Sequence, residues 1–118
     1  MNIVHLDDSL ALHPMKKIEI ITLGEHEQLV MGLLEECRIH GFTLMRNVSG
    51  KGHGGFREGN LLFNDKATQI MLIAVANERA IIQLAKKMKA IFQNQSGVMF
   101  VSDVYVARLE HFTEDGKE

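Results

Sequence analysis

The chain contains very little cysteine, proline or tryptophan. Its 118 residues include one cysteine, one proline and no tryptophan. Because Cys37 has no second cysteine to pair with, an intramolecular disulfide is excluded and a cytoplasmic location is expected. No apolar run is long enough to span a bilayer, and Asp7 and Asp8 lie where a secretory signal is basic. We therefore expect a protein that is neither secreted nor inserted in a membrane.

The net charge of the chain bears on whether its partner is a nucleic acid. A formal net charge of −2 and a pI near 6.3 argue against a nucleic-acid binder that depends on overall positive charge. The chain is 46% hydrophobic and 24% charged, which is typical of a single globular domain at this length. We predict that residues 15–109 form this domain, between a flexible N-terminal extension (1–14) and a polar C-terminal tail (110–118).

Segments with strand and helix periodicity alternate along the chain. Short apolar or alternating runs predict four main strands, at residues 16–23, 42–48, 67–76 and 97–107. Apolar residues at helical spacing predict two helices, one over residues 25–40 and one beginning after Asn77, a favourable cap residue. The order βαβ, loop, βαβ predicts an α+β, ferredoxin-like βαββαβ fold, an antiparallel sheet with both helices on one face.

Two of these strands support more specific expectations. Phe42, Leu44 and Val48 occupy alternating positions of the second strand, which predicts that they share one face. Arg46 interrupts that strand and either pairs with a charge or ligand or lies on the surface. The third strand, 67–76, is apolar on both faces, although two helices can cover only one face of the sheet. Because uncovered apolar surface usually marks an interface, we expect an oligomer.

The segment between the second and third strands is rich in glycine. It reads Gly-Lys-Gly-His-Gly-Gly over residues 50–55, and Arg57 follows. Glycine lacks a Cβ, so such a segment can turn backbone N–H groups toward an anion, and Lys51 adds positive charge. The Walker pattern G-x-x-x-x-G-K-[ST] is absent, and no helix pattern follows directly. Two interpretations stay open here, a phosphate-binding loop and a flexible hairpin loop.

Three short motifs occur in an informative order along the chain. They are Gly41-Phe42-Thr43, Gly50-Lys51-Gly52 and Phe100-Val101-Ser102-Asp103-Val104. In this order and spacing they resemble the PII signal-transduction superfamily, and more closely its PII-like branch, which includes SbtB and the carboxysome-associated PII-like proteins. The resemblance implies a homotrimer with adenine-nucleotide sites between subunits. It also implies a mobile T-loop, here residues 49–64, that docks on a target.

The resemblance also assigns binding residues. Thr43 matches a threonine that contacts the nucleotide, and the turn before the last strand matches the phosphate-facing B-loop, without its usual Gly-Asp-Gly-Lys. The set implied for the nucleotide is Thr43, Gly50, Lys51, Gly52, Gln95, Ser96, Gly97 and Arg108. The set for bicarbonate or phosphate is Lys51, His53, Gly54 and Arg57. A solvated loop histidine is an equally good interpretation of His53.

The function that the resemblance implies is a non-enzymatic signalling protein that binds ADP or AMP, with bicarbonate as a second ligand. Through its T-loop such a protein regulates inorganic-carbon uptake or fixation, by acting on a bicarbonate or other anion transporter or on a carboxysome component. Tyr105 is the only tyrosine and lies outside the loop, which excludes uridylylation there. The alternatives are a slow nucleotide phosphohydrolase and a divalent-cation-binding trimer like CutA. Neither is favoured, because the sequence shows no catalytic constellation and no metal-ligand spacing.

Overall fold

The computed structural model describes residues 11–52, 55–57 and 68–107. Strands among these residues are β1 His13–Leu23, β2 Phe42–Val48, β3 Gly50–Gly52, β4 Gly55–Arg57, β5 Gln69–Ala76 and β6 Gly97–Val106. The helices α1 Glu27–Glu36 and α2 Glu78–Ile91 connect β1 to β2 and β5 to β6. A short 3-10 turn, Gly24–His26, precedes α1.

Four strands form the main sheet in the order β2-β5-β1-β6, and every neighbouring pair is antiparallel. β3 and β4 pair with each other in a separate hairpin. Both helices pack on one side of the sheet, because their apolar side chains share one buried cluster with residues of β1 and β5. The predicted ferredoxin-like fold is thus confirmed. No helix in the described part of the chain is long and apolar enough to cross a membrane.

The core lies between the two helices and the two central strands. Ile18 and Ile20 of β1 and Leu72 of β5 are at most 1% exposed. The helices contribute the buried side chains of Val30, Leu34, Ile81, Leu84 and Met88. Burying each large apolar side chain contributes about 1.5–3 kcal/mol, so this layer fixes both helices against the same face. Cys37 is buried in the same cluster as a free thiol.

Local backbone chemistry determines where the helices begin and end. Asn77 caps α2 as predicted, since its side chain accepts a hydrogen bond of 2.8 Å from the amide three residues later. α1 ends at Glu36, four residues before the sequence pattern predicted. Arg38 has a left-handed φ of 62°, and the amide of Ile39 donates to the carbonyl of Leu34 at 2.9 Å. This Schellman-type closure turns the chain toward β2 early.

The sheet face opposite the helices is largely apolar, and no element of the described part of the chain packs on it. The register places one row of apolar residues across all four strands, Met45, Met71, Ile21 and Val98. The adjacent row consists of Thr43, Ile73, Glu19 and Phe100. We call these two rows the open sheet face. Phe100 is 52% exposed and Val98 42%, so the exposed apolar residues of this face extend beyond β5 to the edge strand β6.

Candidate functional site

One end of the main sheet gathers the start of the glycine-rich segment and the turn before β6. β2 ends at Val48, which pairs with Gln69 at the start of β5. Gln69 also pairs with Leu23 at the end of β1, and the adjacent Thr22 pairs with Gly97 at the start of β6. We call this the loop end of the sheet.

The two predicted halves of the nucleotide site lie at opposite edges of the loop end. Gly50 begins β3, just beyond edge strand β2, whereas residues 95–97 lead into the other edge strand, β6. Three interstrand spacings, about 14 Å, separate these edges. Thr43 lies farther along β2, exposed on the open sheet face opposite Ile73. The sheet therefore holds the predicted nucleotide-binding residues apart within a single chain.

The remaining predicted residues belong to the glycine-rich segment or lie outside the described residues. The β3–β4 hairpin pairs the backbone of Gly50 with that of Arg57, and Lys51 and Gly52 complete β3. A Cβ on Gly50 would meet no atom within 4 Å, so the main chain is open there. His53, Gly54 and Arg108 lie outside the described residues. Within the described ranges, no three His, Cys, Asp or Glu side chains are grouped so that they could hold a metal ion.

A β-bulge at Asn47 sets the direction in which the chain leaves β2. Asn47 has a φ of 60°, a left-handed conformation that asparagine adopts more readily than most residues. The register shifts between Arg46 and Val48, so that Val48 pairs with Gln69. Val48 consequently lies on the side of the sheet away from the helices. The prediction that it shares a face with Leu44 is wrong, because the bulge adds one residue to the alternation.

An ion pair anchors the residue that precedes the bulge. The Arg46 guanidinium donates two hydrogen bonds to the Glu27 carboxylate, from Nε to Oε1 at 2.9 Å and from Nη2 to Oε2 at 2.7 Å. Glu27 is the first residue of α1, so this bidentate pair ties the end of β2 to the helix layer. The hydrogen bond from Arg46 lowers the pKa of Glu27. The sequence marked Arg46 as exceptional on its strand, but it did not identify the partner.

We expect Glu27→Gln to lower the melting temperature at neutral pH, because it removes the charge that Arg46 contacts. In the folded protein the pKa of Glu27 lies below its ordinary value of 4.5. The stabilisation that the ion pair with Arg46 provides is therefore fully present above pH 4.5, and it is lost as the pH falls through the folded-state pKa. Calorimetric melting at pH 7 and at low acidic pH checks this, with Glu35→Gln on the exposed side of α1 as control. Equal melting of wild type and Glu27→Gln at pH 7 would contradict it.

Three contacts fix the turn before β6. The amide of Gln95 donates to a carbonyl in the last turn of α2 at 3.0 Å. The hydroxyl of Thr22 donates to the carbonyl of Ser96, also at 3.0 Å. A Cβ on Gly97 would lie 2.1 Å from the ring of Phe92, so the close packing there requires glycine. The turn is exposed, yet it is held from both the helix and the sheet.

Comparisons with known proteins agree with this architecture. Residues 15–111 match the family model described as nitrogen regulatory protein P-II. The chain is similar to CPII, a nitrogen regulatory PII-like protein from Thiomonas intermedia K12 solved with ADP, AMP and bicarbonate. The identity is 39% and the TM-score 0.80, over 86% of this chain and 96% of that chain. A CPII structure with ADP and bicarbonate is 38% identical, with a TM-score of 0.76 over the same shares.

More distant similarity supports the fold alone. A GlnK–ATP complex from B. subtilis is 19% identical, with a TM-score of 0.58 over 77% of this chain and 82% of that chain. Comparison with the curated proteins gives no match. The family model covers most of the chain, and the CPII structures match it along nearly their whole length. The chain therefore belongs to the nitrogen regulatory P-II family.

Proposed function

We propose that this chain is a non-enzymatic PII-like signalling protein that binds ADP or AMP, together with bicarbonate, between the subunits of a homotrimer. The observation that carries the proposal is the position of the two segments expected to bind the nucleotide. The start of the glycine-rich segment and residues 95–97 lie at the same end of the sheet but at opposite edges. A cleft between β2 of one subunit and β6 of the next would contain both halves. The ligands named for the CPII structures, ADP, AMP and bicarbonate, support this class of ligand.

The open sheet face supports the trimeric assembly. Its row Met45, Met71, Ile21 and Val98 is apolar across all four strands, and no element of the same chain packs on it among the described residues. A cyclic trimer that joins unlike sheet edges closes on itself and can turn three such faces inward. The same arrangement would bury this apolar row and create the clefts, so assembly and ligand binding would depend on one geometry.

The chemistry of the proposed cleft suits an anionic ligand. Backbone N–H groups of a glycine-rich segment can approach phosphate closely, and the Lys51 ammonium adds a charge-assisted hydrogen bond. The turn at Gln95-Ser96-Gly97 would approach from the neighbouring subunit, and Thr43 and Arg108 complete the proposed nucleotide set. For bicarbonate beside the phosphate, we propose Lys51, His53, Gly54 and Arg57 as the donors. Several donors are needed there, because the two anions repel each other.

Ordering of the T-loop is the proposed signal. A glycine-rich segment loses much conformational freedom when it is fixed, so it orders only where ligand contacts offset that cost. A ligand shifts such an equilibrium only by the difference in its affinity for the two states. Adenylate and bicarbonate bound against residues 50–57 would favour the ordered state, which the target then recognises.

For the cellular role, we propose regulation of inorganic-carbon uptake or fixation, with an anion transporter or a carboxysome component as the target. The PII-like motifs support this role, and the only tyrosine, Tyr105, lies on β6 rather than in the T-loop. Deleting the gene is expected to change bicarbonate uptake under carbon limitation. Unchanged uptake and unchanged growth at low inorganic carbon would contradict this role while leaving ligand binding intact.

A separate experiment tests the proposal that the protein does not hydrolyse the nucleotides it binds. Purified protein is incubated with AMP, ADP or ATP, with and without bicarbonate, and the nucleotides are then separated by chromatography. We expect each nucleotide to be recovered unchanged. Release of phosphate or conversion of ATP to ADP, in proportion to protein concentration, would identify a phosphohydrolase instead.

A further inference from the structure

We propose that the Thr22 hydroxyl is the positioning group for the turn at residues 95–97. Thr22 lies near the end of β1, in the centre of the sheet, and is 1% exposed. It follows Ile18 and Ile20 on the side of β1 that faces the helices, and both of these neighbours are buried aliphatic residues. A buried hydroxyl here needs hydrogen-bond partners, and those partners link it to the turn.

The hydrogen bonds of Thr22 form a directed chain. Its single hydroxyl proton is donated to the carbonyl of Ser96 at 3.0 Å. The oxygen also lies 3.2 Å from Nδ1 of His26, so this ring nitrogen must be the donor of that contact. The His26 side chain is only 13% exposed, and its Nε2 lies 3.6 Å from a carboxylate oxygen of Glu25. His26 therefore holds the Thr22 hydroxyl from one side while Ser96 engages it from the other.

Holding this carbonyl fixes the orientation of the turn. The peptide between Ser96 and Gly97 is planar, so fixing its oxygen fixes the whole plane at the point where the turn enters β6. Just beyond β1, the amide of Gly24 donates to the carbonyl of Thr68, the residue before β5, at 2.6 Å. Thr22 thus belongs to a short segment that contacts both the turn at residues 95–97 and the residue that precedes β5.

That the turn binds an adenylate rests on the proposed function. That Thr22 holds the turn rests on the observed hydrogen bonds. The test compares Thr22→Val, which keeps the shape without the hydroxyl, with Thr22→Ser, which keeps the hydroxyl. By calorimetric titration with AMP and ADP, we expect Thr22→Val to lose about tenfold in affinity and Thr22→Ser to stay within about twofold of wild type. Ile18→Val, on the same side of β1 but away from the turn, controls for a general loss of stability.

A second readout needs no ligand. Hydrogen exchange at the amides of Gln95, Ser96 and Gly97 in the nucleotide-free protein should be faster in Thr22→Val than in Thr22→Ser or Ile18→Val. Equal exchange in all three variants would overturn the inference, as would unchanged adenylate affinity in Thr22→Val, or an equal loss in Ile18→Val. If the wild type binds no adenylate, the proposed function fails, and the exchange rates alone decide whether Thr22 positions the turn.

Discussion

Replacing Met71 with glutamate is expected to convert the proposed trimer into monomers. Met71 lies within the open sheet face, between Met45 and Ile21 in the apolar row. In one chain the position is half-buried, so a carboxylate there can still reach water. In the proposed trimer it would be enclosed among apolar side chains, and an unpaired buried charge costs several kcal/mol. Every subunit would contribute one such charge, so the trimer should not form.

Sedimentation equilibrium at micromolar concentration measures this outcome, and far-UV circular dichroism checks that the variant remains folded. Ile82→Glu is the matched control, because Ile82 is 39% exposed on α2, on the side of the molecule that carries the helices. We expect the control to remain trimeric. A Met71→Glu variant that assembles as strongly as wild type would show that the open sheet face is not the subunit interface.

Lys51→Ala is expected to weaken adenylate binding by about tenfold or more, which corresponds to about 1.4 kcal/mol. A charge-assisted hydrogen bond contributes about 1.5–3 kcal/mol, and in the proposed site this bond also helps to offset the cost of ordering the glycine-rich segment. Lys51 lies on β3, outside the main sheet and its open sheet face, so the variant should remain trimeric.

Titration calorimetry on the variant and on wild type measures the change in affinity. Lys86→Ala is the control, since it removes the same charge from an exposed position on α2. If Lys51→Ala binds adenylate as well as wild type does, the glycine-rich segment is not part of the nucleotide site.

Most of the fold could be predicted because its elements have clear periods. β2 and β6 begin where the alternation predicted, and Asn77 caps α2. The end of α1 could not be predicted, because it depends on Arg38 in a left-handed conformation that arginine rarely adopts. The prediction of which sheet face carries Val48 was wrong for a similar reason, because a single residue, Asn47, interrupts the alternation.

Only part of the candidate site could be predicted from the sequence. The glycine-rich segment and the turn before β6 stood out through composition and through family motifs. The side-chain contacts that hold these segments in place could not be predicted, because the partners are distant in sequence. Thr22 and Ser96 are 74 residues apart, and Arg46 and Glu27 are 19 residues apart. A threonine at an inward-facing strand position was the one available signal for Thr22, but such residues also occur in ordinary cores. The separation of the two halves followed only from the strand order.

Calorimetric titration of the wild-type protein with AMP, ADP and ATP, each with and without bicarbonate, tests directly whether the protein binds adenylate and bicarbonate together. We predict saturable binding of AMP or ADP to the trimer, with an affinity that changes when bicarbonate is present. No binding of any adenylate under either condition, by a protein shown to be folded and trimeric, would contradict it.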